Sequence, residues 1–223
     1  MNNIIKKIRK LFIDEASNSP LLFNDLANME KYISESYSGR SLIELLQNSD
    51  DANSKIFFIE LIDEFTYIIA NDGRIFNDND ILALCRSGAS TKTRNSNTIG
   101  FRGIGFKSIV NYANVVHLVS GDIKTTFSKQ LTREILNNVN DVPLIRVPHE
   151  FCGYKFQDKI NELLAMGYNT IFIFESKSNI LEEEIKEFDS NYILFLQSIE
   201  HILLNIDYEK KYDITRKELD ENK

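Results

Sequence analysis

The sequence predicts a layered α/β sandwich, and three observations carry that expectation. Short apolar runs rich in β-branched and aromatic residues recur along the chain. Amphipathic segments of helical period lie before and between them. Their order is mixed and does not follow a strict strand–helix–strand repeat. At 223 residues, 43% hydrophobic and 26% charged, the chain is long enough to bury one large core.

The elements follow in order. In residues 1–14, Ile4, Ile5, Ile8, Leu11 and Phe12 recur at helical spacing. Pro20 interrupts, and Leu22–Ser34 reads as a second helix. A third is expected over Leu42–Ala52, with Ser41 as N-cap and Glu44 at the matching capping-box position. Ile56–Ile62 and Thr66–Ala70 read as a hairpin or as consecutive strands, and Asn71-Asp72-Gly73 as the turn that ends them. Ile81–Cys85 belongs to a short helix capped at Asn77 or Asp78. Residues 87–99 are small, polar and aperiodic, which predicts a loop, and Ile104–Tyr112 is expected to resume as a helix. Val115–Val119 and Ile123–Phe127 form a strand pair, and Leu144–Val147 a strand ended by Pro148. Lys159–Met166 is helical, Thr170–Phe174 a strand, and Leu181–Phe188 and Tyr192–Leu196 helices. The span 1–207 is read as one domain, and the charged residues 208–223 as a tail or the start of a linker.

Composition excludes several classes. No apolar run approaches the roughly 18–20 residues of a membrane span, so no membrane partner is expected. The basic cluster Lys6, Lys7, Arg9 and Lys10 is not followed by the apolar stretch of a secretory leader. Cys85 and Cys152 are too few for a disulfide framework and point to a reducing, cytoplasmic setting. With His117, His149 and His201 they offer no metal-ligand spacing. The net charge of −7 argues against a generally nucleic-acid-coated surface. Yet Ile81–Gly121 holds no Asp or Glu and five cations: Arg86, Lys92, Arg94, Arg102 and Lys107. Charge alone leaves open a solvated basic face or a local polyanion site, and leaves nucleic acid undecided as a partner.

Two constellations carry chemistry. On the third helix Glu44, Asn48 and Asp51 fall at i, i+4 and i+7, opposite Leu42, Leu45 and Leu46. A carboxylate, an amide and a second carboxylate thus share one face. Farther on, Gly100, Gly103 and Gly105 lead into a helix beside Arg102 and Lys107. Glycines allow close backbone approach, and a helix start offers unpaired N–H groups, so this is the construction of a phosphate cradle. The dinucleotide fingerprint fails on glycine order, and the Walker pattern fails because Phe106 precedes Lys107-Ser108.

Together these residues resemble the ATP-binding domain of the GHKL superfamily, which holds gyrase-type topoisomerases, ninety-kilodalton heat-shock chaperones, sensor histidine kinases and MutL. Glu44 to Ala52 matches the first box, E-x-x-x-N-x-x-D-A. Asn71-Asp72-Gly73 stands where D-x-G-x-G is expected, with Asn71 at the Asp position and Ile75 at the second glycine. Gly100–Ser108 matches the glycine-rich box, and Thr170–Phe174 the closing strand. The match runs over roughly residues 35–175. Ser90-Thr91-Lys92 and the wording of Gly100–Ser108 are most similar to the sacsin-like and chaperone-like ATPases.

The resemblance implies a Bergerat fold, a mixed, mostly antiparallel sheet covered on one face by helices. It implies ATP and Mg²⁺ as cofactors, with Asn48 holding the metal and Glu44 as general base. Asp51 would line the site, and Gly73 with either Asn71 or Asp72 would meet adenine, supported by Thr170. Gly100, Arg102, Gly103, Ile104, Gly105 and Phe106 would hold the phosphates, with Lys92 a further contact from a lid at 88–99. The implied activity is slow ATP hydrolysis by a chaperone-like module of a larger protein. A further domain or partner chain would supply a basic residue to the γ-phosphate, and ATP would drive a homodimer. The alternative is a nucleotide-gated switch or scaffold with negligible turnover in a defence or DNA-handling assembly.

Overall fold

The computed structural model describes residues 2–36, 39–86, 112–137, 141–176, 180–206 and 211–217. They form helices α1 (Asn3–Asn18), α2 (Pro20–Ser36) and α3 (Ser41–Asp51), strands β1 (Ile56–Asp63) and β2 (Thr66–Asn71), and helix α4 (Asp78–Cys85). Strands β3 (Ala113–Ser120) and β4 (Ile123–Ser128), helix α5 (Lys129–Leu136), strand β5 (Pro148–His149) and helix α6 (Gln157–Ala165) follow. The chain continues with β6 (Thr170–Ser176), α7 (Ile180–Lys186), β7 (His201–Asn205) and β8 (Lys211–Thr215). The strands make one sheet in the order β5-β4-β3-β6-β2-β1-β7-β8. Every neighbour pair is antiparallel except β1 with β7, which run parallel.

Strand alternation divides the core into two. Phe57, Ile69, Leu118 and Phe172 face the layer built by α1 to α4 and α7. Phe58, Ile68, Val119 and Ile173 face the other way, against Ile160 and Leu163 of α6. The expected sandwich is present, and the second face carries a helix of its own. In α1 the buried stripe is Ile5, Ile8, Phe12 and Ala16, spaced for one helix face. Leu11 is not part of it and stays 52% exposed. Pro20 opens α2 rather than merely separating helices, because a first-turn proline forfeits no intrahelical hydrogen bond.

Four local readings are corrected. Residues 144–147 make no strand, because the buried Glu30 carboxylate takes the N–H groups of Leu144 (2.6 Å) and Ile145 (3.0 Å). Only Pro148–His149 pairs with β4. The stretch around Tyr192 is a 3₁₀ turn, Ser190–Phe195, and not an α-helix. Lys211–Thr215, within the charged C-terminal segment, is a strand laid against β7. Ser41 is the first residue of α3 and not its cap, as described below. The short helix α4 keeps its expected start, with Asn77 as N-cap and Asp80 completing a capping box. The loop at 87–99, most of the helix expected over Ile104–Tyr112, Lys92, and Gly100 through Phe106 lie outside the described residues.

Candidate functional site

The site begins with α3. Leu42, Leu45 and Leu46 are buried and fix the helix rotation, leaving Glu44, Asn48 and Asp51 half-buried on one face. The start of α3 is held from outside. Glu184 of α7 accepts from the Leu42 N–H at 2.7 Å, and the Ser41 hydroxyl meets the Tyr112 hydroxyl at 2.7 Å. A carboxylate at a helix N-terminus satisfies free donors and the dipole. The N-cap residue Arg40 makes no side-chain cap of its own, and Glu44 is half-buried on the polar side of the helix. Burial raises the Glu44 pKa above the usual carboxylate value, and the charge of Arg40 partly offsets it. One turn on, the Asn48 Nδ2 is buried with no hydrogen-bond partner among the described residues. Gln47 donates to the Tyr192 hydroxyl at 2.7 Å, which closes the flank of this face.

The end of α3 abuts the turn after β2. A Cβ on Gly73 would stand 2.8 Å from the Ala52 carbonyl oxygen and 3.0 Å from its Cβ, so only glycine fits. Arg74 N–H donates to that same carbonyl at 2.8 Å. Asn48 and Asn71 are therefore linked through one helical turn and one close contact. Asn71, Thr170 and Ser120 are register partners across β2, β6 and β3. By alternation all three lie on the face that carries α1 to α4. The Thr170 and Ser120 hydroxyls are 2.7 Å apart, and Ser120 accepts from the Phe76 N–H at 3.0 Å. Asn71 accepts from the Gly73 N–H through Oδ1 at 3.1 Å.

The neighbouring acids are already engaged. Burial works against charge on Asp72, but donors from Ser54 (2.6 Å), Ile56 (2.9 Å) and Lys55 (2.8 Å) outweigh it and hold its carboxyl below the usual range. Asp72 thus ties the α3–β1 turn, and Asn71 is the residue on the helix-side face. Asp50, buried near the end of α3, accepts the N–H groups of Gln197, Ser198 and Ile199 and anchors the approach to β7. Asp50, Ser120 and Glu184 carried no sequence signal; each acts across more than 40 residues of chain. The segment bearing the glycines leaves the described residues after Arg86 and re-enters at Tyr112. Tyr112 is fixed to both α3 and β6, its carbonyl accepting from the Ser176 hydroxyl at 3.1 Å.

The family profile described as histidine kinase-, DNA gyrase B-, and HSP90-like ATPase matches residues 36–163. The chain belongs to this family of GHKL-type ATPases. The matched span runs from the last residue of α2 into α6 and includes both α3 and the glycine-rich run. Membership implies ATP binding, and ATP hydrolysis is an activity found in the family in general. The mixed, mostly antiparallel sheet with its helical layer agrees with the Bergerat fold of these ATPases. Comparison with curated proteins gives no match. Among the described residues no helix is long and apolar enough to cross a membrane, and no three His, Cys, Asp or Glu side chains gather to hold a metal.

Proposed function

We propose that the chain binds Mg-ATP between α3 and the paired ends of β2, β6 and β3 and hydrolyses it slowly. The observation that carries this reading is Asn48. Its amide nitrogen sits buried and unpartnered among the described residues on the face that also bears Glu44, one turn from the Ala52–Gly73 contact beside Asn71. A buried amide nitrogen with no partner costs on the order of 1–3 kcal/mol, and a phosphate oxygen accepting from Nδ2 would recover it while Oδ1 stays available to the metal.

The donor set suits Mg²⁺. The cation takes hard oxygens, keeps several waters, and uses one or two protein oxygens with substrate phosphates rather than a protein cage. Asn48 Oδ1 would hold it, and the lack of a three-carboxylate cluster among the described residues is in keeping with such a shared site. When bound, the ion neutralises phosphate charge. The chain's own residues do the rest. Glu44, raised in basicity by burial, orients a water and accepts its proton. Asn71 and Thr170 hold the base, and the backbone N–H groups of Gly100–Phe106 hold the phosphates, with Lys92 from the lid.

The chaperone-like, sacsin-like character rests on Ser90-Thr91-Lys92 and on the wording of Gly100–Ser108. Lid closure, an ATP-dependent homodimer, and a basic residue from another domain or chain belong to the same reading. A cytoplasmic setting is in keeping with two cysteines, Cys85 and Cys152, that are not joined in a disulfide. The test is Asn48→Ala in titration calorimetry with Mg-ATP. Heat of binding should vanish while the melting temperature holds; binding at the parental affinity removes Asn48 from the site. Parental binding without measurable turnover would instead favour the nucleotide-gated switch.

A further inference from the structure

We infer that the base subsite accepts 6-oxopurine nucleoside triphosphates at least as well as ATP, with Asn71 as the residue that sets this selectivity. The inference rests on the reading above, that Asn71 and Thr170 meet the base. The orientation of the Asn71 amide is decided by chemistry. A backbone N–H can be met only by an acceptor, so the 3.1 Å contact with Gly73 N fixes Oδ1 on that side. Nδ2 is then the branch left for a ligand, since the side-chain bond that Asn71 makes among the described residues is taken by Oδ1. Its immediate surroundings are buried: Asn71 is 6% exposed and Thr170 1%.

A donor at this position discriminates by the group at purine C6. Adenine carries an amino group there, which also donates, and the two donors repel. Hypoxanthine and guanine carry a carbonyl oxygen, which accepts. Rotating the amide to offer Oδ1 to adenine would leave the buried Gly73 N–H facing another donor, so the side chain cannot adapt freely. Thr170 can. In the 2.7 Å Thr170–Ser120 pair either hydroxyl is able to donate. When Thr170 donates to Ser120, its oxygen is open to accept from the N1–H of a 6-oxopurine. When Ser120 donates instead, the Thr170 hydrogen is free for adenine N1. The adaptable group tolerates both bases, and the fixed group, Asn71, favours the oxo form.

Replacing Asn71 by Asp keeps an acceptor for Gly73 N–H and turns the other branch from donor to acceptor, so the fold is preserved and the preference reverses. Inosine triphosphate is the cleanest probe, because it differs from ATP at C6 and N1 and lacks the 2-amino group of GTP. Calorimetric titration of the purified chain with the Mg salts of ATP, ITP and GTP should give ITP an affinity no weaker than ATP. In Asn71→Asp the ITP-to-ATP affinity ratio should fall by roughly 10–100-fold, the range set by the cost of leaving a buried donor or acceptor unsatisfied. Parental ATP binding more than about tenfold tighter than ITP overturns the inference, and so does an unchanged ratio in the variant. If none of the three nucleotides binds, the nucleotide reading itself fails, a result distinct from ATP binding with the ordinary preference.

Discussion

Gly73→Ala tests the joint between α3, which bears Glu44 and Asn48, and β2, which ends in Asn71. The added Cβ would lie 2.8 Å from the Ala52 carbonyl oxygen, 3.0 Å from the Ala52 Cβ and 3.1 Å from Asn71 Oδ1. The first of these is a backbone atom, so relief requires moving the end of α3 or the turn itself. Overpacking of this kind costs about 1–3 kcal/mol. Displacing the Ala52 carbonyl also weakens its bond from Arg74 N–H, another 1 kcal/mol or so. For a chain of this length a total of about 2–4 kcal/mol lowers the melting temperature by roughly 4–16 °C. Because Asn71 is among the crowded groups, ATP affinity should fall about tenfold as well. Gly167→Ala is the control: its φ of +96° strains an alanine, yet the new Cβ meets nothing within 4 Å. It should cost about 1–2 kcal/mol and leave ATP binding alone. Thermal melts without nucleotide, paired with ATP titration, separate the two. A Gly73→Ala protein that melts within about 1 °C of the parent and binds ATP normally refutes the close contact as a functional joint.

Three further outcomes are expected. Asp50→Ala strips one buried carboxylate from three backbone N–H groups and should destabilise by at least about 3 kcal/mol, with Asp50→Asn milder, read from urea denaturation. His149 is pushed down to about 4 by burial and by the charge of Arg9. Its folded value lies below its unfolded one, so its contribution is complete above pH 6.5 and lost as pH falls toward 4, about 3 kcal/mol in all. The hydrogen bond from His117, with help from Lys155, holds Glu175 down to about 2 against burial, so a second loss follows from pH 4.5 toward 2. Acid titration followed by NMR of the histidines and by circular dichroism checks both stages. Turnover should lose activity on acidification at a pH above the ordinary glutamate value, because burial raises Glu44; a limb at or below that value would place Glu44 in open solvent.

What was legible in the sequence was whatever chemistry is local. The Leu42-Leu45-Leu46 stripe fixed which side of α3 is buried, so Glu44, Asn48 and Asp51 came out on the polar face. The β1–β2 hairpin and the α4 capping box were equally local. What escaped notice depends on partners distant along the chain. The N-terminus of α3 looked self-capped by Ser41 and Glu44, but Glu184, 142 residues away, holds it. Glu30 draws off the backbone donors of 144 and 145, which their apolar side chains had suggested for a strand. Asp72 is spent on Ser54, Lys55 and Ile56, and no pattern of spacing reveals that. The β7–β8 hairpin was missed because β8 is an exposed edge of mixed charge, where burial leaves no alternation to read.

The most direct measurement is steady-state hydrolysis of Mg-ATP by the parent and by Glu44→Gln, with binding measured on the same preparations. The parent should bind ATP and turn over well below the median enzyme rate of about 10 s⁻¹. The variant keeps the size and hydrogen-bonding capacity of the side chain while losing its basicity. It should bind ATP within about threefold of the parent and lose roughly 10²–10⁴ in kcat, the contribution of a positioned general base. Parental turnover in Glu44→Gln would contradict the account at its centre, leaving Glu44 as a half-buried helix residue with no part in the chemistry.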